Sequence, residues 1–86
     1  MIYERTTTLM EAELGDELVG LEPERGLCFG FNPVAKRVWE LLAEPRSYDE
    51  IKAILLAEFD VEPSECDSGL DEFLTQLVQS QLLILR

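Results

Sequence analysis

Leu27-Cys28-Phe29-Gly30-Phe31-Asn32-Pro33-Val34-Ala35-Lys36-Arg37-Val38-Trp39-Glu40-Leu41-Leu42 changes its period in the middle. Up to Phe31 the apolar residues alternate, so Leu27, Phe29 and Phe31 share one face of a strand. After Asn32 the spacing turns helical: Val34, Val38, Leu41 and Leu42 form one stripe, with Trp39 on its flank. Asn32 suits the N-cap, and a proline at the first helical position costs nothing because its N–H would have no intrahelical partner. The helix should end near Glu44-Pro45. A strand that runs straight into a helix divides the chain into a β part before it and an α part after it.

Working towards the N-terminus, Pro23-Glu24-Arg25-Gly26 reads as a turn, with proline presetting the backbone and glycine closing it. Leu18-Val19-Gly20-Leu21 is a second short strand. Gly15-Asp16 fits a two-residue hairpin loop of type II′, which needs glycine first. Before it, Thr6, Thr8, Met10, Ala12 and Leu14 alternate with Glu11 and Glu13, which predicts a half-buried strand over residues 6–14 with its acids outward. Two short connections imply a three-stranded antiparallel meander.

Towards the C-terminus, Ser47 with Glu50 three residues on is a capping box. Ile51, Ile54, Leu55 and Phe59 carry the stripe of a second helix. A third starts near Pro63, with Cys66, Leu70, Phe73, Leu74, Leu77 and Val78 at unbroken helical spacing. Leu82–Leu85 closes the chain as an apolar extended segment or a helix tail. The expected fold class is α+β: an N-terminal three-stranded antiparallel sheet followed by three helices, in the general arrangement of a winged helix-turn-helix.

The chain is 86 residues long and forms one domain, residues 1–86. Seven basic residues face eighteen acidic ones, for a net charge of −11. Nucleic acid draws its partners' Lys and Arg onto phosphate, so this balance argues against it, and against an anionic membrane surface. No segment approaches a membrane span or a secretion signal, which makes the cytoplasm the default compartment. Histidine is absent, and Cys28 and Cys66 match no metal spacing. Both cysteines read as small buried residues rather than a disulfide. Catalysis, metal and cofactor are therefore not expected; a peptide or protein partner is.

Two features could hold such a partner. The strand Leu27–Phe31 is a sheet edge if strand order follows sequence, and it carries no lysine, proline or charge to blunt it. It is either an acceptor for an added peptide strand or it is covered by the Leu82–Leu85 tail or a helix. On the third helix, Leu74 and Val78 lie beside Asp67 and Asp71, with Gly69, Gln76 and Ser80 on the opposite flank. The mixed flank with Leu70 could shape a groove for apolar anchors and a basic residue, or could be the margin of a wide core stripe. Asp67-Ser68-Gly69-Leu70 superficially matches the serine setting of acyl and peptidyl carrier proteins, although Gly69 interrupts it.

The stretch from Gly26 to Leu42, with Ser47–Ile51, Phe59-Asp60-Val61, Phe73–Leu77 and Leu82-Leu83, resembles the PqqD-like family, also called RiPP recognition elements. The pattern is most similar to the stand-alone proteins of lasso-peptide biosynthesis, while Leu21–Arg25 is similar to the Pro-Glu turn of PqqD. Many members carry Asp where Gly69 stands and Gly where Gln81 stands. The resemblance implies a winged helix-turn-helix that binds a precursor leader peptide as an added strand and presents it to a leader peptidase and a cyclase, without catalysis of its own. A chaperone of the PQQ pathway is the alternative it leaves. Carried onto this chain, it implies backbone contacts from Leu27, Cys28, Phe29, Gly30 and Phe31, with Phe29 and Phe31 as floor. Leu70, Leu74 and Val78 would shape the pocket, with Asp67 and Asp71 facing a basic leader residue.

Overall fold

A computed structural model describes residues 1–86 as six strands and three helices. In chain order they are β1 (Ile2–Arg5), β2 (Met10–Leu14), β3 (Glu17–Glu22), β4 (Leu27–Phe31), α1 (Pro33–Leu41), β5 (Arg46–Ser47), α2 (Tyr48–Glu58), α3 (Pro63–Gln79) and β6 (Leu83–Leu85). The strands form two antiparallel sheets, β2-β3-β4 and β5-β1-β6.

The first sheet is the expected meander. Its hairpin closes at Leu14↔Glu17 around Gly15-Asp16, and the positive φ of 68° falls on Gly15 alone, as a type II′ loop requires. The second sheet was not expected. The strand foreseen over residues 6–14 is broken: β1 ends at Arg5, and the chain bends before β2. The Thr6 N–H donates to the Leu82 carbonyl, tying the bend to the tail. Leu9 then drops into the core beneath Gly20, where a Cβ would lie 2.7 Å from the Leu9 side chain. The faces of β2 are also inverted relative to expectation. Glu11 and Glu13 point inward, to Trp39 Nε1 at 3.1 Å and Lys36 Nζ at 3.4 Å, and every residue of the strand stays exposed.

The helices start where the caps place them. Asn32 Oδ1 accepts from the Ala35 N–H, and Ser47 and Glu50 complete the capping box. α1 stops at Leu41, short of the expected Glu44-Pro45, because Arg46 Nε takes the Leu41 carbonyl at 2.7 Å as the chain turns into β5. α3 ends in a Schellman turn: Leu82 N–H donates to Leu77 O and Gln81 N–H to Val78 O. Gln81 takes the left-handed position of that turn at φ 63°, where glycine is the usual residue. The core lies between the sheets and the helices. Trp39, Ile51, Leu55, Leu74 and Leu82 are essentially sealed from solvent. Arg5 stacks on the Trp39 ring at 3.9 Å. Cys66 is buried as expected, whereas Cys28 is exposed, because its side chain points off the outer face of the sheet. Both are free thiols.

A latch joins the sheet to α3. Glu22 is 4% exposed, and its carboxylate accepts from the Glu24 N–H, the Arg25 N–H and Arg25 Nε. The Arg25 guanidinium, held there, donates to the Ser80 carbonyl at 2.6 Å and to Gln81 Oε1 at 3.3 Å. It thereby places a cation on the carbonyl end of α3. Burial works to raise the Glu22 pKa, but the three hydrogen bonds outweigh it and hold the group below its ordinary value.

Two outcomes follow from these turns. Gln81→Gly relieves the left-handed backbone and should raise the midpoint of thermal unfolding by about 4 °C, since a non-glycine residue there costs roughly 1 kcal/mol. A calorimetric scan showing no rise would contradict the strain. For Glu22, a depressed folded pKa means stability present above the unfolded value and lost as pH falls through the folded one. Glu22→Gln should therefore be less stable than the wild type at pH 7, and the gap should narrow as pH falls below the ordinary glutamate value and close below the folded one.

Candidate functional site

β4 pairs with β3 on one side only. The tail forms β6 against β1 (Tyr3↔Leu85, Glu4↔Ile84, Arg5↔Leu83) and so does not cover that edge. The register says which groups are free. In a two-residue hairpin the closing pair, here Leu14↔Glu17, exchanges both hydrogen bonds, and bonded pairs alternate from there. Glu17, Val19 and Leu21 therefore bond β2, while Leu18, Gly20 and Glu22 bond β4 at Phe31, Phe29 and Leu27. The N–H and C=O groups of Cys28 and Gly30 are left pointing to the open edge, and both residues are exposed.

A cleft of about 510 Å³ runs along this edge. Cys28, Phe29, Gly30 and Phe31 line one side with Asn32 and Ala35, and Phe73, Gln76, Leu77, Gln79 and Ser80 line the other. Its floor is aromatic. Phe31 stacks on Phe29 at 6.4 Å and on Trp39 at 5.9 Å, and meets Phe73 edge-on at 5.6 Å. The Arg25 latch to Ser80 and Gln81 joins the two walls at the Leu27 end. At the other end Asn32, Ala35 and Phe73 also border a second cavity of about 330 Å³ between the helices. That cavity is largely apolar, with Val34, Val38, Leu55, Phe59 and Leu70 in its wall, Glu65 its sole charge, and Gly69 leaving open space at its rim.

The residues expected to form the site divide into two groups. Cys28, Phe29, Gly30 and Phe31 line the cleft, and Leu27 begins the same strand. The α3 residues do not join them. Leu74 is 0% exposed inside the core, Leu70 lines the second cavity, and Val78 is half-buried against the core. Asp67 accepts from Lys52 Nζ at 2.8 Å and the Tyr48 hydroxyl at 2.9 Å. The Lys52 and Tyr48 hydrogen bonds lower its pKa. Burial first, then that hydrogen bond, raises the Tyr48 phenol. Asp71 is exposed, and its charge acts on Tyr3 and Tyr48, on the α2 and β1 side of the helix. The physical reason is rotational: α3 turns its Gly69–Phe73–Gln76–Ser80 flank to β4 and its acidic flank to α2. The small and polar residues of the first flank, Gly69, Gln76 and Ser80, were the signal available in the sequence for a surface left open rather than packed into the core.

No free cation remains to receive an anion. Six of the seven basic side chains sit in ion pairs with carboxylates of the same chain, and the seventh is Arg5 on Trp39. Ser68 lies within α3, exposed to solvent. No helix is long and apolar enough to cross a membrane.

The profile of coenzyme PQQ synthesis protein D (PqqD) matches residues 17–83, from β3 through the first residue of β6. A search of curated proteins finds no match. Among solved structures, TbiB1 in complex with the TbiA(beta) leader peptide is similar, at 31% identity and a TM-score of 0.78, over 93% of this chain and 93% of that one. The chain with the open β4 edge is thus a member of the PqqD family, the family that its sequence resembles.

Proposed function

We propose that this protein binds the leader region of a ribosomally made precursor peptide as a fourth strand on β4 and presents it to modifying enzymes. The observation that carries the reading is the unpaired edge at Cys28 and Gly30 beside an aromatic-floored cleft. The likeness to a protein solved with a leader peptide supports it. We place the work in lasso-peptide-type biosynthesis in the cytoplasm, with a leader peptidase and a cyclase as the enzymes served and no chemistry done by this chain. In this reading the three helices and the β2-β3-β4 meander act as a winged helix-turn-helix whose wing receives peptide instead of DNA.

The energetics divide between backbone and side chains. Cys28 and Gly30 offer up to four hydrogen bonds, each worth about 1 kcal/mol net. That does not exceed the ~4–15 kcal/mol cost of association. Anchors must supply the rest, at ~1.5–3 kcal/mol for each buried apolar side chain. The guest's residues opposite Leu27, Phe29 and Phe31 face inward, towards the aromatic floor and α3. One anchor lies along Phe73, and the second enters the cavity bordered by Gly69 and Leu70. Asp67, Leu74 and Val78 then act through the fold rather than by touching peptide, and Glu65 replaces Asp67 and Asp71 as the carboxylate nearest an anchor.

Two substitutions test the two contributions, with fluorescein-labelled TbiA(beta) leader as the probe. Cys28→Pro removes an outward N–H while leaving the β3 ladder its donors, so affinity should fall about tenfold or more with little change in circular dichroism. Should the variant unfold, leader peptides N-methylated at alternate amides make the same test from the guest's side. Unchanged anisotropy titrations in both arms would remove strand addition. Gly69→Leu should do something a structural role would not. Leucine favours the helix over glycine by about 0.8 kcal/mol, so thermal stability should rise while leader affinity drops. Affinity that stays level with raised stability would show that the cavity is not used.

A further inference from the structure

The wall that α3 gives to the cleft carries amides, in a chain that is otherwise acidic. All eighteen acidic side chains lie between Glu4 and Glu72, and residues 73–86 hold none. Two residues of that wall, Gln76 and Gln79, are exposed, and the fold makes no hydrogen bond with either side chain. Gln81 is already used, because its amide oxygen takes Arg25. Helix propensity does not explain the choice of residue, since glutamine, glutamate and lysine serve an exposed helical position about equally. Hydrogen bonding separates them. A carboxylate only accepts and an ammonium only donates, whereas a primary amide does both.

α3 runs back along β4. Phe73 meets Phe31 at one end of the cleft, and at the other Arg25 holds the Ser80 carbonyl beside the Glu22↔Leu27 pair. Gln76 and Gln79 lie between these ends. A strand paired with Cys28 and Gly30 turns every second N–H and C=O away from β4, and the cleft wall on that side is α3. Such outward groups recur every ~6.8 Å along a strand. Gln76 and Gln79 stand about 4.5 Å apart along the helix axis, and the torsions of two long side chains span the difference. From this arrangement we infer that Gln76 and Gln79 bind the second backbone edge of the guest, so that the leader is held through its main chain on both sides. A strand edge enclosed in a cleft must find partners for its polar groups, and these are the unengaged amides on that wall. The class of guest follows. It is an extended chain with free N–H groups along both edges, selected by side chain where it faces the aromatic floor. This role for α3 rests on the leader-binding reading of the cleft.

The test uses the full chain and fluorescein-labelled TbiA(beta) leader, with a series of that peptide in which one backbone amide at a time is replaced by an ester. The ester removes the N–H without adding bulk. Gln76→Met/Gln79→Met keeps side-chain length and helix propensity but removes both amides. Thr75→Met, exposed and outside the cleft, controls for the added methionine. The double variant should keep the wild-type thermal midpoint and lose about tenfold in leader affinity. On the wild type, esters should weaken binding at consecutive positions, those facing β4 and those facing α3 alike; this arm needs no variant to fold. On the double variant only the β4-facing esters should still matter, the others costing less than about twofold. Equal affinity of wild type and double variant overturns the proposal. So do α3-facing esters that cost both proteins the same. Esters that weaken wild-type binding at alternate positions only would leave strand addition standing and the second edge unbound. If the wild type does not bind the leader, or no ester position matters, the leader reading fails and the role of α3 fails with it.

Discussion

The pairing of β6 with β1 decides what the molecule can do, because it uses up the one extended segment that could have closed β4. The tail is not loosely placed. Ile2 and Arg86 exchange two backbone bonds, the Thr6 N–H takes the Leu82 carbonyl, and Leu82 and Leu83 are buried. Lifting the tail onto β4 would expose both leucines, at a cost of roughly 1.5–3 kcal/mol each. The open edge is thus maintained by the core and does not depend on a mobile segment staying away.

Two contacts then fix the width of the cleft. At one end Phe31 is shared, stacked on Trp39 of α1 and edge-on to Phe73 of α3, so the strand and both helices pack on one buried ring. At the other, the Glu22–Arg25 latch reaches the Ser80 carbonyl and makes the β3-β4 turn an extension of α3. A cleft held at both ends has little left to order, which would lower the entropic cost of binding a peptide there. In the proposed complex the guest's own ordering would remain, and selectivity would rest on its anchors.

How far the residues themselves disclose this depends on the range of the forces involved. Asn32, the Ser47–Glu50 box, Gly15 and the alternation of Leu27, Phe29 and Phe31 act over two to four residues, and each is readable in place. The α3 stripe gives the buried face, with Cys66, Leu70, Leu74 and Leu77 inside. What alternation could not give was the sign of β2. Glu11 faces inward because Trp39, 28 residues away, offers an indole N–H. The same limit applies to the flanks of α3. A helical wheel orders side chains around an axis but does not say which neighbour stands where; the Lys52–Asp67 pair, between α2 and α3, settles that in three dimensions. The Glu22 latch was hidden for a further reason. A buried glutamate in a turn looks like any exposed one until its three donors are placed around it.

An open apolar edge is also a hazard, since copies of the same chain can zip together along it. β4 carries none of the usual obstacles: no lysine, no proline, no bulge. Its protection is collective. The strand is five residues long, and the Asn32-Pro33 step into α1 ends it abruptly. Any second copy approaches with the same eleven excess negative charges. Those charges do not oppose a short neutral or basic peptide, which can reach the edge that a second domain cannot approach closely. The acidic composition, which argues against nucleic acid, has a second consequence: it opposes copies of this chain meeting along β4 while leaving that edge open to a chain of different charge.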